Sequence, residues 1–158
     1  MPNSQQPLRV LFVCTGNICR SPMAEALFRN KVAKEGLSGR IVVDSAGTGG
    51  WHIGEEPHQG TQQVLRARGI AFDGIRARQL HPEDISEFDW ILVMDQENWD
   101  EVHQLRPDAR NVFKVLTFSS ASDPNVPDPF YSGGFEHVYQ LLNEALDNFL
   151  HFLMERQN

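Results

Sequence analysis

The apolar positions of this chain fall into two alternating kinds of segment. Leu8 to Val13 is an almost continuous apolar run, as a strand covered on both faces requires. From Pro22 onward Met23, Ala24, Leu27 and Phe28 recur at three-four spacing, the stripe of a helix that ends at Gly36. Ile41-Val42-Val43 reads as a second, short strand, and Pro57 to Arg68 as a helix with Val64 and Leu65 inward. Phe88 to Met94 predicts a third strand, followed after Asp95 by a helix that runs through Leu105 and stops before Pro107. Val112 to Phe118 predicts the last strand. A long final helix carries Phe135, Val138, Tyr139, Leu142, Ala145, Leu146, Phe149, Leu150 and Leu153 on one face, and the polar residues recurring through it mark a core helix, not a membrane anchor. Strands alternating with helices, without a repeat, predict an α/β fold: a single-domain open parallel sheet of about four strands with helices on both faces.

Length and charge narrow the picture. A chain of 158 residues suits one buried core, so a single domain spanning residues 1–158 is expected. A hydrophobic content of 41% and a net charge of −7 describe an acidic soluble protein and argue against nonspecific nucleic-acid binding. No run approaches the roughly 18 apolar residues of a membrane span, and Met1 to Pro7 lacks a signal-peptide core. The two cysteines sit in one loop and supply no disulfide framework, which suits a reducing compartment. A cytoplasmic monomer without membrane or nucleic-acid partners is the expectation.

The candidate chemistry lies between the first strand and the first helix, in Cys14-Thr15-Gly16-Asn17-Ile18-Cys19-Arg20-Ser21-Pro22. A tight loop entering a helix N-terminus leaves backbone N–H groups unpaired and convergent, which makes a phosphate-binding loop of Thr15, Gly16, Asn17, Ile18, Cys19 and Arg20. Gly16 and Asn17 both tolerate the left-handed backbone such a loop needs. Arg20 adds a planar fork for two oxygens. Ser21 is placed to cap the helix, with Pro22 in its first position. Cys14, at the strand's end, lies at the floor of this cradle as a candidate nucleophile. A free thiol near pKa 8.5 is mostly protonated at neutral pH, and a helix end supplies only about 0.3–1 kcal/mol. The loop N–H groups, Arg20 and the Ser21 hydroxyl must therefore add to it. Taken singly, Cys14 is a small hydrophobe ending a strand and Arg20 a surface charge; the conjunction carries the argument. The missing Gly-Lys-Ser/Thr ending excludes a Walker-type loop, and the spacing of Cys14 and Cys19 is not that of a Cys-x-x-Cys redox motif. The two cysteines nonetheless share one wound loop and form a candidate reversible disulfide.

Farther along, Asp44 to Trp51 follows the second strand as a glycine-rich loop, and Trp51 is a candidate wall for an aromatic substrate. His52 and His58 lack partners for a metal set, so neither a metal nor a cofactor is expected. Between the last strand and the final helix, Ser119 to Gly134 reads as a rigid irregular loop containing Pro124, Pro127 and Pro129, of a length that usually carries function. It holds two Asp-Pro pairs, Asp123-Pro124 and Asp128-Pro129. Either aspartate could be a proton donor or a turn former.

Val-Cys-x-Gly-Asn-Ile-Cys-Arg-Ser-Pro near the N-terminus resembles the low-molecular-weight protein tyrosine phosphatases, and the resemblance extends over nearly the whole chain. It implies hydrolysis of phosphotyrosine in proteins through a phosphocysteine on Cys14, with inorganic phosphate as product. The family pattern Asp-Pro-aromatic selects Asp128 as general acid and sets Phe130 and Tyr131 beside the entering ring. Ser-Ala-Gly-Thr is similar to the family segment whose serine, here Ser45, orients the loop asparagine Asn17. Asp95, after Asp-Trp-Ile-Leu-Val-Met, is implied as a supporting residue. Ala-Arg-Gln-Leu, Ala77 to Leu80, also matches, with Ile75 where many relatives carry histidine; Arg76 and Arg78 are expected to tie loops together. Three alternatives share the loop. A thiol-linked arsenate reductase needs downstream cysteines, and none follows Cys19. A protein arginine phosphatase tends to threonine at the position of Ile18. A nonenzymatic phosphate-binding module would not require both Cys14 and Asp128.

Overall fold

The computed structural model describes residues 6–156; most of the segment read for a signal core, Met1 to Pro7, lies outside them, as do the last two residues. Four strands, β1 (Leu8–Cys14), β2 (Ile41–Gly47), β3 (Trp90–Val93) and β4 (Val112–Lys114), form one sheet in the order β2-β1-β3-β4. All three pairings are parallel, and the register sets Phe12 of β1 opposite Ser45 of β2 and Leu92 of β3. Among the described residues six helices accompany them: α1 (Arg20–Lys34), α2 (Gln59–Ala67), α3 (Pro82–Glu87), α4 (Gln96–Leu105), α5 (Pro129–Ser132) and α6 (Phe135–Arg156). The predicted four-stranded parallel sheet is the observed one.

Alternate residues of β1 divide the core. Val10, Phe12 and Cys14 pack on one face with Met23, Leu27 and Phe28 of α1, Leu65 of α2 and the apolar stripe of α6. Leu11 and Val13 pack on the other with Ile85 of α3, Val102 of α4, and Ile91 and Val93 of β3. The first half of α1 is buried all round, from Arg20 to Phe28, because the sheet lies on one side and α2 and α6 on the others. The chain passes from β1 to β2 on one side and then to β3 on the other, so the carboxyl ends of β1 and β3 flank a switch point, where open α/β sheets hold ligands.

Several boundaries differ from the periodicity. Only Val112–Lys114 of the expected last strand is strand; Val115–Phe118 tightens into a 3-10 turn that packs against α6. A short apolar run buries equally well either way, so periodicity alone does not decide it. β2 continues past Val43 because its polar residues find partners: Asp44 meets Arg78, and Ser45 meets Glu25. α1 begins at Arg20 with Cys19 as its N-cap, so Ser21 lies inside the first turn and does not cap. Its hydroxyl is 2.9 Å from the Cys14 sulfur. α3 was not legible in the pattern, being six residues held by Pro82 and by Asp84, which accepts from the His81 N–H at 2.8 Å. α5 is a single turn inside the segment expected to be irregular.

Phe149 joins α6 to the sheet through ring contacts with Phe118, Phe28 and Trp90 at 4.9, 5.4 and 5.5 Å. Phe149→Ala is expected to cost about 3–5 kcal/mol of stability, read as a fall in the urea midpoint without loss of the folded baseline.

Candidate active site

Cys14 is the last residue of β1, and the five residues after it turn back to start α1. The turn is built on Asn17, the one residue other than glycine with a positive φ, 58°, among those described. Its side chain reverses into the protein. The amide oxygen accepts the backbone N–H of Arg78 at 2.9 Å, which fixes the other end as the donor. That NH2 gives one hydrogen to Ser21 Oγ at 2.7 Å and one to Ser45 Oγ at 3.0 Å. Ser45 in turn donates to Glu25 Oε1 at 2.6 Å. Ser21 Oγ accepts from Asn17 and still has its own hydrogen to turn toward the Cys14 sulfur, an arrangement that suits a thiolate.

The outer side of the loop is fixed by the end of β2 and the two residues after it. Thr48 and Gly49 donate their backbone N–H groups to the carbonyls of Cys14 and Thr15, each at 2.9 Å. Gly47 lies so close that a Cβ there would meet the Thr15 carbonyl oxygen at 2.8 Å, which only glycine avoids. Held on both sides, the backbone N–H groups of Gly16, Asn17, Ile18 and Cys19 make no hydrogen bond among the described residues. They form the unpaired nest that the sequence predicts.

Arg20 lies beneath this nest, only 1% exposed. Nη1 donates to Asp95 Oδ2 at 2.6 Å and to the Val126 carbonyl at 2.9 Å. Nη2 reaches Thr15 Oγ1 at 3.3 Å and stands 3.6 Å from Asp128 Oδ2, while Nε has no partner. The guanidinium is thus pinned along one edge, leaving the Nε and Nη2 edge for an oxyanion. Burial lowers the Arg20 pKa, but Cys14 and the carboxylates of Asp95 and Asp128 outweigh it and leave it raised. Asp95 also caps α4 through the Asn98 N–H at 2.9 Å, so it serves the helix and the arginine together. Asn98, fully buried, extends its amide to Thr15 Oγ1 at 3.2 Å.

Above the nest opens a cavity of about 560 Å³. Cys14, Thr15, Gly16, Ile18, Cys19 and Arg20 make its floor, and Trp51, His52, Phe130 and Tyr131 its aromatic walls. Asp95, Glu97 and Asp128 complete the lining. The expected loop, carboxylate and wall residues therefore meet in one place. Asn17, Ser21 and Ser45 do not reach the cavity and stand behind the loop. Asp128 accepts the Phe130 N–H with Oδ1 at 3.0 Å, which directs Oδ2 toward Arg20. Asp123 forms an exposed turn with Asn125 and lines no part of the cavity. Arg78 ties Asp44 to Asp84, and Arg76 stands 3.7 Å from Glu56, so both bind protein carboxylates. Among the described residues no group of three or more His, Cys, Asp or Glu could hold a metal ion.

The two cysteines differ in surroundings. Burial first, then Cys14 and Asp128, push the Cys19 thiol up to about 12, against the pull of Arg20. Cys19 is therefore a neutral thiol, packed with Ile18, Ala77 and Phe135. Sequence reasoning missed two buried residues, Asn98 and Glu25, the latter on α1 and paired with Arg29. The only signal of Glu25 was a carboxylate inside the apolar stripe from Met23 to Phe28.

A cysteine under a nest of backbone donors, with an arginine fork beside it at the carboxyl edge of a parallel sheet, defines the Cys-x5-Arg class of phosphoryl-binding site. Residues 9–158 match the family model described as low molecular weight phosphotyrosine protein phosphatase. The chain is 49% identical over 146 residues to the low molecular weight protein-tyrosine-phosphatase YfkJ of Bacillus subtilis, covering 90% of this chain and 94% of that one. The crystal structure of YfkJ superposes with a TM-score of 0.94 at 45% identity, covering 97% and 98% of the two chains. The drosophila arginine phosphatase DARP is also similar, with a TM-score of 0.85 and 32% identity over 92% of this chain and 98% of that one. The chain belongs to the low molecular weight phosphotyrosine protein phosphatase family, and so to the phosphoric monoester hydrolases.

Burial raises the Glu25 carboxyl above its ordinary range, the Ser45 bond and Arg29 opposing and Asp44 adding to it. A group whose folded pKa is raised contributes stability in full below its unfolded pKa and loses it as pH rises through the folded value. Glu25→Gln keeps an acceptor for Ser45 and removes the titration. Relative to the native protein, the variant is expected to gain stability as pH rises from below the carboxylate range to neutrality, measured by urea midpoints at each pH.

Proposed function

We propose that this protein hydrolyses phosphotyrosine in protein substrates through a phosphocysteine on Cys14. The reading is carried by one cavity in which Cys14, Arg20 and Asp128 meet beneath aromatic walls. In the first step the Cys14 thiolate attacks phosphorus opposite the phenolic oxygen. An S–P bond forms, the P–O bond breaks, and Asp128 gives its proton to the departing oxygen. The nest from Gly16 to Cys19 and the free edge of Arg20 bind the three remaining oxygens as charge shifts onto them. In the second step the Asp128 carboxylate takes a proton from water, which attacks phosphorus. The S–P bond breaks, phosphate leaves, and the Ser21 proton meets the returning thiolate.

The aromatic walls support an aryl ester. Trp51 is 70% and Tyr131 87% exposed, a costly display of apolar surface unless it receives a ring. Ile18 on the floor offers an aliphatic surface where a phosphoarginine site would favour a hydroxyl. Turnover of phosphotyrosine, phosphoserine, phosphoarginine and arsenate by one preparation tests the assignment: phosphotyrosine is expected to exceed the others, and a preference for phosphoarginine would overturn it. The working state is a cytoplasmic monomer acting on tyrosine-phosphorylated proteins in signalling, a reading supported by two free cysteines. No helix among the described residues is long and apolar enough to cross a membrane.

Cys14 and Cys19 both line the cavity and form the redox pair of this reading. Peroxide converts the Cys14 thiolate to a sulfenic acid; the Cys19 thiol then attacks that sulfur, a disulfide forms and water leaves. Native enzyme inactivated by mild peroxide is expected to recover fully with dithiothreitol, and Cys19→Ser only in part. Equal recovery would remove Cys19 from the mechanism.

The leaving group tests Asp128. A phenol with pKa near 10 leaves poorly unprotonated, whereas a nitrophenolate needs little help. In single-turnover measurements Asp128→Asn is expected to slow phosphotyrosine cleavage by about 10²–10⁴-fold, with a clearly smaller loss on nitrophenyl phosphate. Asp123→Asn is expected to leave both rates near native.

A further inference from the structure

We propose that Glu97 makes the enzyme prefer phosphotyrosines flanked by lysine or arginine, an inference that rests on the phosphotyrosine reading above. Glu97 is exposed in the first turn of α4 and lines the same cavity as Cys14 and Arg20. Among the described residues it has no hydrogen bond and no ion pair. The other two carboxylates of the lining are engaged, Asp95 and Asp128 both facing Arg20; outside it Glu55 meets His52 at 3.0 Å, and Glu101, one turn along α4, accepts the Thr48 hydroxyl at 2.9 Å. A carboxylate in a first helical turn is favoured by the helix dipole wherever it points. That explains an acidic residue in this turn; it does not explain one turned toward the cavity and left unpaired.

The charges of the site are layered. Arg20, the one lysine or arginine lining the cavity, is buried at the floor, where the phosphate charge is met. Residues on either side of the phosphotyrosine stay at the mouth, and the free charge waiting there is negative. A basic neighbour of the phosphotyrosine meets Glu97, and its stem finds the exposed faces of Trp51 and Tyr131. An acidic neighbour meets repulsion from Glu97, reinforced by the chain's net charge of −7.

The test compares kcat/KM on two phosphotyrosine peptides of equal length, one flanked by lysines and one by glutamates, for native enzyme, Glu97→Gln and Glu97→Lys. Each rate is referenced to nitrophenyl phosphate turnover by the same preparation, so any loss of folded enzyme cancels. Native enzyme is expected to prefer the lysine peptide by about threefold to tenfold at low salt, fading as salt is added. Glu97→Gln should bring the ratio toward unity and Glu97→Lys should invert it. A native preference that survives Glu97→Lys, or no native preference at low salt, overturns the proposal. Native enzyme that turns over nitrophenyl phosphate but neither peptide overturns the phosphotyrosine reading, and the proposal with it.

Discussion

The site depends on the left-handed turn at Asn17 and on the three hydrogen bonds that hold its side chain. A nest of backbone donors is an unfavourable object without a ligand, since several N–H groups converge on one point and none is paired. The protein meets that cost from behind the loop. Arg78, Ser21 and Ser45 use every hydrogen-bonding group of the Asn17 amide except one acceptor site, and Thr48 and Gly49, just after β2, clamp the outer side of the turn. In the proposed mechanism the loop therefore has its binding shape before phosphate arrives, which is how a preorganised site converts binding into rate.

The same bonds reach the chemistry. Asn17 donates to the oxygen of Ser21, which leaves the Ser21 hydrogen free to reach the Cys14 sulfur. Glu25 anchors Ser45 from the far end, a buried carboxylate some distance from the reacting atoms that nonetheless settles which way the serine hydroxyl points. Asp95 and Val126 do for Arg20 what Ser45 does for Asn17, pinning one edge so that the other faces the cavity. The floor is buried and heavily cross-bonded, whereas Trp51, Phe130 and Tyr131 of the walls are exposed, the last two on the single turn α5.

Much of this was legible in the sequence, and the limits have physical causes. The four strands and the helices α1, α2, α4 and α6 follow from apolar spacing because each buries a face wide enough to leave a period. α3 and α5 are too short for any period, and the 3-10 turn after β4 is apolar like the strand it replaces. The loop residues were legible because their types are unusual in combination. Asn17 and Ser21 were legible as members of the site from the loop itself and Ser45 through family resemblance, but not the direction of their hydrogen bonds. That direction depends on the Arg78 N–H arriving from 61 residues away. Glu25 and Asn98 escaped notice because a buried polar residue on a helix leaves no trace in a pattern of apolar positions. The cap reading of Ser21 illustrates the opposite error: a serine before proline satisfies the rule for a helix cap, yet the helix starts a residue before it, and only the expected contact of its hydroxyl with the sulfur is found.

The central claim is that Asn17 holds the phosphate cradle in shape independently of any ligand. The most direct measurement is the affinity of inorganic phosphate for native enzyme and for Asn17→Ala by titration calorimetry at one ionic strength, with circular dichroism confirming that the variant is folded. The account predicts that the folded variant binds phosphate at least about tenfold more weakly, because the loop must then be ordered at the expense of binding. Unchanged phosphate affinity in a folded Asn17→Ala protein would contradict it.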